Sequence, residues 1–468
     1  MPAESSNNSH FWTDIRDAIA GKHHDYTQGR LSRSIFLLAI PMVLEMFMQS
    51  IFAVADAFFV AKLGAAAVAT VGFSESIIVI FLAVSLGLGM GTTAMIARRI
   101  GEKDLTGAAI TGLQAIYLGL LCSLGILVIG SFFGADLLRL IGAPEDVMEV
   151  GTGFASHIIA GSGTITMLFL INGAFRGAGN PAIALRALAI ANLLNVVLDP
   201  VFIFGWGPIP AMGLTGAAIA TNVARSIGVL YQFSVLFGNK GDLNLRSIPL
   251  QIDPRAMHRL IQISSVGIFQ FLVAMTSFTG LMWVMGRFPS EASAGFTIAI
   301  RVILFVILPA WGMSNAAATL VGQNLGAGRA NRAEEAAWTT AKYNFRFLAI
   351  VSIILLVGAE TIMRLFTSEA AVIDYGVSCL RWVCSIYVLM AYGMVMVQSF
   401  NGAGDTTTPT YINLLSHWGV KIPLAWFLSV SLAMGPKGVF IAIPVGELVA
   451  AVAGIYLFRQ GKWKHTQA

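Results

Sequence analysis

Residues 192–201 read NLLNVVLDPV. Leu and Val fill most of the stretch, and Asn192, Asn195 and Asp199 interrupt it at i, i+3 and i+7, which is one face of a helix. The surrounding segment, 181–204, is long enough for the ~20 apolar residues that cross a bilayer. An ionised carboxylate at the centre of such a helix costs about 2.5–3.5 kcal/mol on insertion scales. Asp199 therefore points to a bundle interior or a wet cavity, and to chemistry that keeps it there. Asn195 lies one turn from Asp199, where its amide can hydrogen-bond the carboxylate or its oxygen can join it around a small hard cation. Pro200 removes a backbone donor and frees the carbonyl one turn earlier. A purely structural reading of the same face is an interhelical hydrogen-bond stripe that orders the bundle.

The rest of the chain is of the same kind. Of 468 residues, 56% are hydrophobic and 11% charged, against about 25% charged in a soluble domain. This composition predicts an all-α polytopic membrane protein. Twelve transmembrane helices are expected near 35–60, 67–97, 106–133, 147–175, 181–204, 211–237, 259–287, 292–322, 333–358, 372–399, 407–432 and 438–459. An even number puts both termini on one side. Seventeen Lys and Arg, among them Arg98, Arg99, Arg176, Lys240, Arg329 and Arg459, fall in one set of loops and tails. Only Lys62, Arg139, Arg287, Arg364 and Lys437 fall in the other. The bias predicts a multi-pass protein of the inner (plasma) membrane with cytoplasmic termini. The net charge of +5 is thus a matter of topology, with no nucleic-acid partner implied. The polar start, MPAESSNN, reads as a disordered cytoplasmic tail without a cleaved signal peptide. Cys122, Cys379 and Cys384 all lie in apolar runs, with neither disulfide nor zinc spacing.

The chain repeats itself at an offset of 225 residues. FRGAGN at 175–180 meets FNGAGD at 400–405, ARRIGEKD at 97–104 meets GQNLGAGR at 322–329, and Gly213 meets Gly438. Six helices per half make the repeats parallel, two lobes related by a pseudo-two-fold axis along the membrane normal. The expected organisation is an N-terminal tail (1–30), an N-lobe (31–237), a cytoplasmic linker (238–258) with Pro249 and Pro254, a C-lobe (259–460) and a short tail (461–468).

Buried charge divides the halves. Asp56 lies late in helix 1, with Gln49 two turns before it and Pro41 bending the start of the same helix. At the repeat offset Asp56 meets Leu281, Asp199 meets Leu424, Asn195 meets Val420 and Asn192 meets His417. The second half carries Arg301 and Lys421 instead. This asymmetry predicts a single ion site, in the first half. Glu45, Glu75 and Glu447 read as helix-end or paired charges. No GxxxxGK[ST], HExxH or nucleophile elbow occurs. The chain is expected to be no enzyme, to need no cofactor, and to draw its energy from an ion gradient.

VADAFFVAKLG (54–64), FRGAGNP (175–181), NLLNVVLDPVFIFG (192–205), GLTGAAIAT (213–221) and FNGAGD (400–405), in this order, resemble the multidrug and toxic compound extrusion (MATE) family, most closely its DinF-like branch. The resemblance covers about 31–460. It implies antiport of small organic, often cationic, drug-like compounds against H+ or Na+. It also implies a cation-coupling site at Asp56, Asn195, Asp199 and Thr221, which would ligate the metal if the ion is Na+. Gln49, Asn172, Met42 and Asn192 are expected to line a substrate cavity, and Pro41 resembles the family's helix-bending proline. Acids that serve the NorM-like branch in helices 7 and 10 are missing: helix 7 has Gln270.

The leading expectation is therefore a monomeric secondary multidrug exporter working by alternating access in the lipid bilayer. Two others compete: a lipid-linked precursor flippase of the same superfamily, kept open by Arg301 and Lys421, and a non-transporting membrane scaffold. Gradient-dependent drug flux separates the first from both.

Overall fold

A computed structural model describes residues 5–22, 24–238 and 243–466. Lys240 of the basic loop set and the first four residues of MPAESSNN lie outside them. The described residues form helices and no strands. In chain order they are α1 Ser5–Ala20, α2 Leu31–Ala61, α3 Ala65–Gly101, α4 Leu105–Leu140, α5 Glu145–Gly161, α6 Gly163–Gly177, α7 Pro181–Phe204 and α8 Gly213–Leu236. They continue with α9 Pro254–Met285, α10 Ser290–Gly326, α11 Ala330–Arg364, α12 Ala370–Cys384, α13 Tyr387–Gly402 and α14 Thr407–Asn413. A π-wound segment, Leu414–Lys421, leads to α15 Ile422–Trp426, a second π segment, Phe427–Ser431, and α16 Pro436–Arg459.

Nine helices among the described residues are long and apolar enough to cross a membrane, or ten if α12 and α13, bent by 57°, count as one span. The other two expected spans have identifiable reasons for standing apart. Thr221, Asn222, Arg225 and Gln232 dilute the apolar character of α8. The stretch 407–432 is no single α-helix but alternates α and π winding around Pro423, which has no N–H to give the ladder. Exposed apolar rows run along α4 (Leu121, Leu124, Val128) and α11 (Ile350, Ile353, Val357, the last 83% exposed). In water such stripes would be a liability; in a bilayer they are the lipid-facing surface. The protein is a multi-pass membrane protein.

The chain groups into two compact units, one of Met1–His24 and Leu44–Ile268, the other of Asp25–Val43 and Phe269–Ala468. In the first unit Val60, Leu138, Phe154, Ile159, Ile203 and Leu214 share a core. In the second, Phe296 stacks on Phe440 with centroids 6.1 Å apart, and Phe458 stacks on Trp463 at 4.5 Å. In lipid the hydrophobic effect does not draw helices together; close packing does, and small residues permit it. The repeated motif shows how. A Cβ on Gly177 would lie 2.7 Å from the Thr93 carbonyl oxygen, and one on the matching Gly402 would collide with the carbonyl oxygen of Ala318, itself the match of Thr93. Gly179 and Gly404, also matched, both turn the chain at positive φ, 84° and 85°. FRGAGN and FNGAGD thus do the same structural work in each unit.

Two segments differ from expectation. Residues 5–8 of MPAESSNN, expected to be disordered, begin the helix Ser5–Ala20. The C-terminal end of α1 is held by Arg186 of α7, whose Nη2 donates to the carbonyls of Ile19 (3.0 Å) and Ala20 (2.6 Å). The connection 238–258 is pinned where it is described: Gln114 donates to the Gln251 carbonyl (3.0 Å) and accepts from the Asp253 N–H (3.2 Å).

Candidate functional site

α7 begins with Pro181 in its first turn, where a missing N–H costs nothing. It runs through Pro200 and stops at Gly205, whose φ is 80°. The antiparallel α8 docks on it through two glycines. The Gly216 Cα faces the Phe202 carbonyl so closely that a Cβ would collide, and Gly228 lies against the Ala187 carbonyl at the other end. Between these two approaches, Asn195 and Thr221 come into register.

Asn195, Asp199 and Thr221 are buried, the first two completely. The Asn195 Nδ2 donates to Asp199 Oδ1 at 3.0 Å and to Thr221 Oγ1 at 3.2 Å. Asn195 Oδ1 and Asp199 Oδ2 are buried without a hydrogen-bond partner. Unpaired acceptors of this kind are rare in folded proteins, and a carboxylate or amide oxygen of this kind can accept a proton or a small hard cation. Asp56, from the C-terminal part of α2, is near enough to act electrostatically on Asp199. Among the described residues no three His, Cys, Asp or Glu converge as a metal-ion site.

Arg225 is the residue that sequence reading missed. It interacts electrostatically with Asp56, and its guanidinium lies over the Phe52 ring, 5.0 Å from the centroid. Its signal was available: an arginine inside the span 211–237, one turn after Thr221, carries the same insertion cost as an aspartate. The cluster therefore holds two carboxylates and one guanidinium, and an arginine stays protonated in proteins.

Of the residues expected to line a cavity, Asn192 and Asn172 are hydrogen-bonded and Met42 is fully buried. Asn192 donates from Nδ2 to the Met48 carbonyl (2.7 Å). Asn172 donates to Glu45 Oε1 at 2.9 Å and accepts from Gln232 at 2.5 Å. Met42 is fully buried, its carbonyl against Gly312, and Pro41 is buried beside it. Gln49 is half-buried. Glu45 is a buried, paired charge, with Arg176 Nη2 at 3.4 Å from Oε1. Glu75 and Arg301 are exposed. In the second unit, Lys421 Nζ meets Glu447 Oε1 at 2.6 Å.

A duplicated helical fold with apolar spans and lipid-facing rows defines a polytopic membrane protein. The sequence model of the MatE family matches residues 41–201 and again 267–427, one match in each repeat, and the chain belongs to that family. A probable multidrug resistance protein of Bacillus subtilis, YpnP, is 26% identical over 449 residues, 95% of this chain and 98% of the relative. An FAD transporter of Shewanella oneidensis is 24% identical, covering 93% of this chain and 96% of its own. The outward-facing structure of a multidrug resistance MATE family transporter superposes with a TM-score of 0.87 at 26% identity, over 93% of this chain and 96% of that one.

Proposed function

We propose that the protein is a secondary multidrug exporter that exchanges a small organic compound for one monovalent cation, H+ or Na+, by alternating access. The observation that carries this reading is the charge count of the buried cluster. Asp56 and Asp199 against Arg225 leave one negative charge in a poorly solvated site, and one proton or one Na+ balances it. The unpartnered Asp199 Oδ2 and Asn195 Oδ1 are where that cation belongs, with Thr221 beside them. Multidrug resistance relatives support the class of cargo.

The FAD transporter among the relatives supports a second reading of the cargo, a flavin nucleotide moved by the same cation cycle. The ion pair of Lys421 with Glu447 weighs against the flippase reading, since it takes up one of the two cations that reading relied on. We further propose a single-chain functional unit in the inner membrane, with both termini cytoplasmic and the lobes divided at 31–237 and 259–460 by the linker 238–258.

The test is drug flux in proteoliposomes under imposed gradients, with Na+ present or absent at fixed pH. Flux that follows a pH or Na+ gradient and vanishes in Asp199→Asn is the expected result. Flux independent of both gradients overturns the coupling.

A further inference from the structure

The carboxylate cluster belongs to the first unit. The second unit holds a cavity of about 230 Å3 of different chemistry. One wall is aromatic: Phe271 and Trp311 contribute rings with centroids 6.0 Å apart. Met390 and Met394 add side chains that repack around a ligand. The volume lies below the ~300–1,000 Å3 of drug-sized pockets, so it suits one ring system rather than an extended molecule.

The polar groups on its lining narrow the ligand further. Gln270 is 4% exposed, and its Oε1 is buried without a partner. His417 Nδ1 is in the same condition. Both residues line the cavity. Gln398 also lines it but is already used, donating to Asn315 and accepting from Asn401. Glu447 reaches the lining with its charge met by Lys421 Nζ at 2.6 Å. The cavity thus offers an aromatic face, a free acceptor, a free ring nitrogen and no unbalanced charge. A cation would find its carboxylate taken and an ammonium beside it, and an anion would face the carboxylate. The free carbonyl of Gln270 asks for an N–H donor, and His417 protonated at Nδ1 supplies a donor to a neighbouring carbonyl. The π winding of Leu414–Lys421 is what presents His417 here, and such winding recurs at functional sites.

We infer that this cavity binds an uncharged, planar heteroaromatic ring with a lactam or imide edge, its N–H on Gln270, its C=O on His417 and its face on Trp311. That such a ring is cargo rests on the export reading above; the site itself does not.

The probe is lumiflavin, a neutral ring with an imide edge, compared with its N3-methyl derivative, which lacks the donor. Each is titrated into the purified full-length protein and followed by flavin fluorescence. Saturable binding of lumiflavin is expected, about tenfold or more tighter than the methylated ring, the scale of one hydrogen bond to a buried acceptor. Gln270→Leu should abolish that preference. The inference is overturned if lumiflavin shows no saturable binding, or if wild type binds both rings alike. It is also overturned if the preference survives in Gln270→Leu. The comparison of the two rings on wild type needs no variant to fold. Binding with the preference, joined to gradient-independent flux in the proteoliposomes, would remove the export reading and leave the site standing.

Discussion

Replacing Arg225 with Gln removes the positive charge that acts on Asp56 and leaves Asp56 and Asp199 to repel one another. Neither Asp56 nor Arg225 is fully buried, so the loss is smaller than the ~3–5 kcal/mol of breaking a fully buried pair. A coupling energy of about 1–3 kcal/mol is expected, within the range for residues of one charged network. The cation count should change as well. Two uncompensated carboxylates call for two cations, so Arg225→Gln should exchange two charges per cycle or stall. The double variant Asp56→Asn with Arg225→Gln restores a single negative charge on Asp199. It should recover most of the stability lost in Arg225→Gln and regain cation-dependent flux. The assay is a double-mutant cycle of SDS-titrated unfolding in mixed micelles, paired with flux in proteoliposomes. Strict additivity, with a coupling below about 0.5 kcal/mol, would refute the idea that Arg225 and Asp56 belong to one electrostatic unit. So would a double variant that remains as inactive as Arg225→Gln.

Further outcomes follow from the same geometry. Asp199→Asn keeps an acceptor for the Asn195 amide and removes the charge; folding should persist in size-exclusion and unfolding measurements while gradient-driven export falls to background, and retained drug resistance would defeat the assignment. Lys421→Met should destabilise the second unit by about 1–3 kcal/mol, less than for a fully buried pair, because the part-buried Glu447 loses its partner; adding Glu447→Leu should return most of that in the same unfolding assay, and a double variant no better than the single would count against the pairing. Gly402→Ala drives a Cβ into the Ala318 carbonyl and should cost about 1–3 kcal/mol as overpacking. Gly125→Ala, which meets open space in a helix, should be neutral or stabilising by up to about 1 kcal/mol; equal effects of the two would contradict the packing argument.

Much of the architecture was legible before any coordinates. Hydropathy and helix length are local quantities, so the apolar spans and their approximate ends could be read from residue order. The repeat could also be read, because Gly177 and Gly402 are constrained by the same backbone contact and both copies kept it. What misled was context. MPAESSNN is polar, and polarity alone suggested a tail without structure; the helix Ser5–Ala20 depends on Arg186, more than 160 residues away, for two of its C-terminal carbonyls.

The proposed ion site divides along the same line. NLLNVVLDPV by itself determined that Asn192, Asn195 and Asp199 share a helix face, because a 3.6-residue period needs no tertiary information. It also determined that Asp199 needed a reason to be in an apolar segment. Only the tertiary structure decided that Asn192 ties α7 to the Met48 carbonyl, while Asn195 serves Asp199 and Thr221. Likewise it turned Asn172 toward Glu45 and Gln232, and brought Arg225 into the field of Asp56. A side chain's partners depend on which helices lie beside it, and here that depends on backbone approaches such as Gly216 to Phe202. The sign and number of charges brought together around Asp199 follow from that packing, and the proposed count of one balancing cation rests on it.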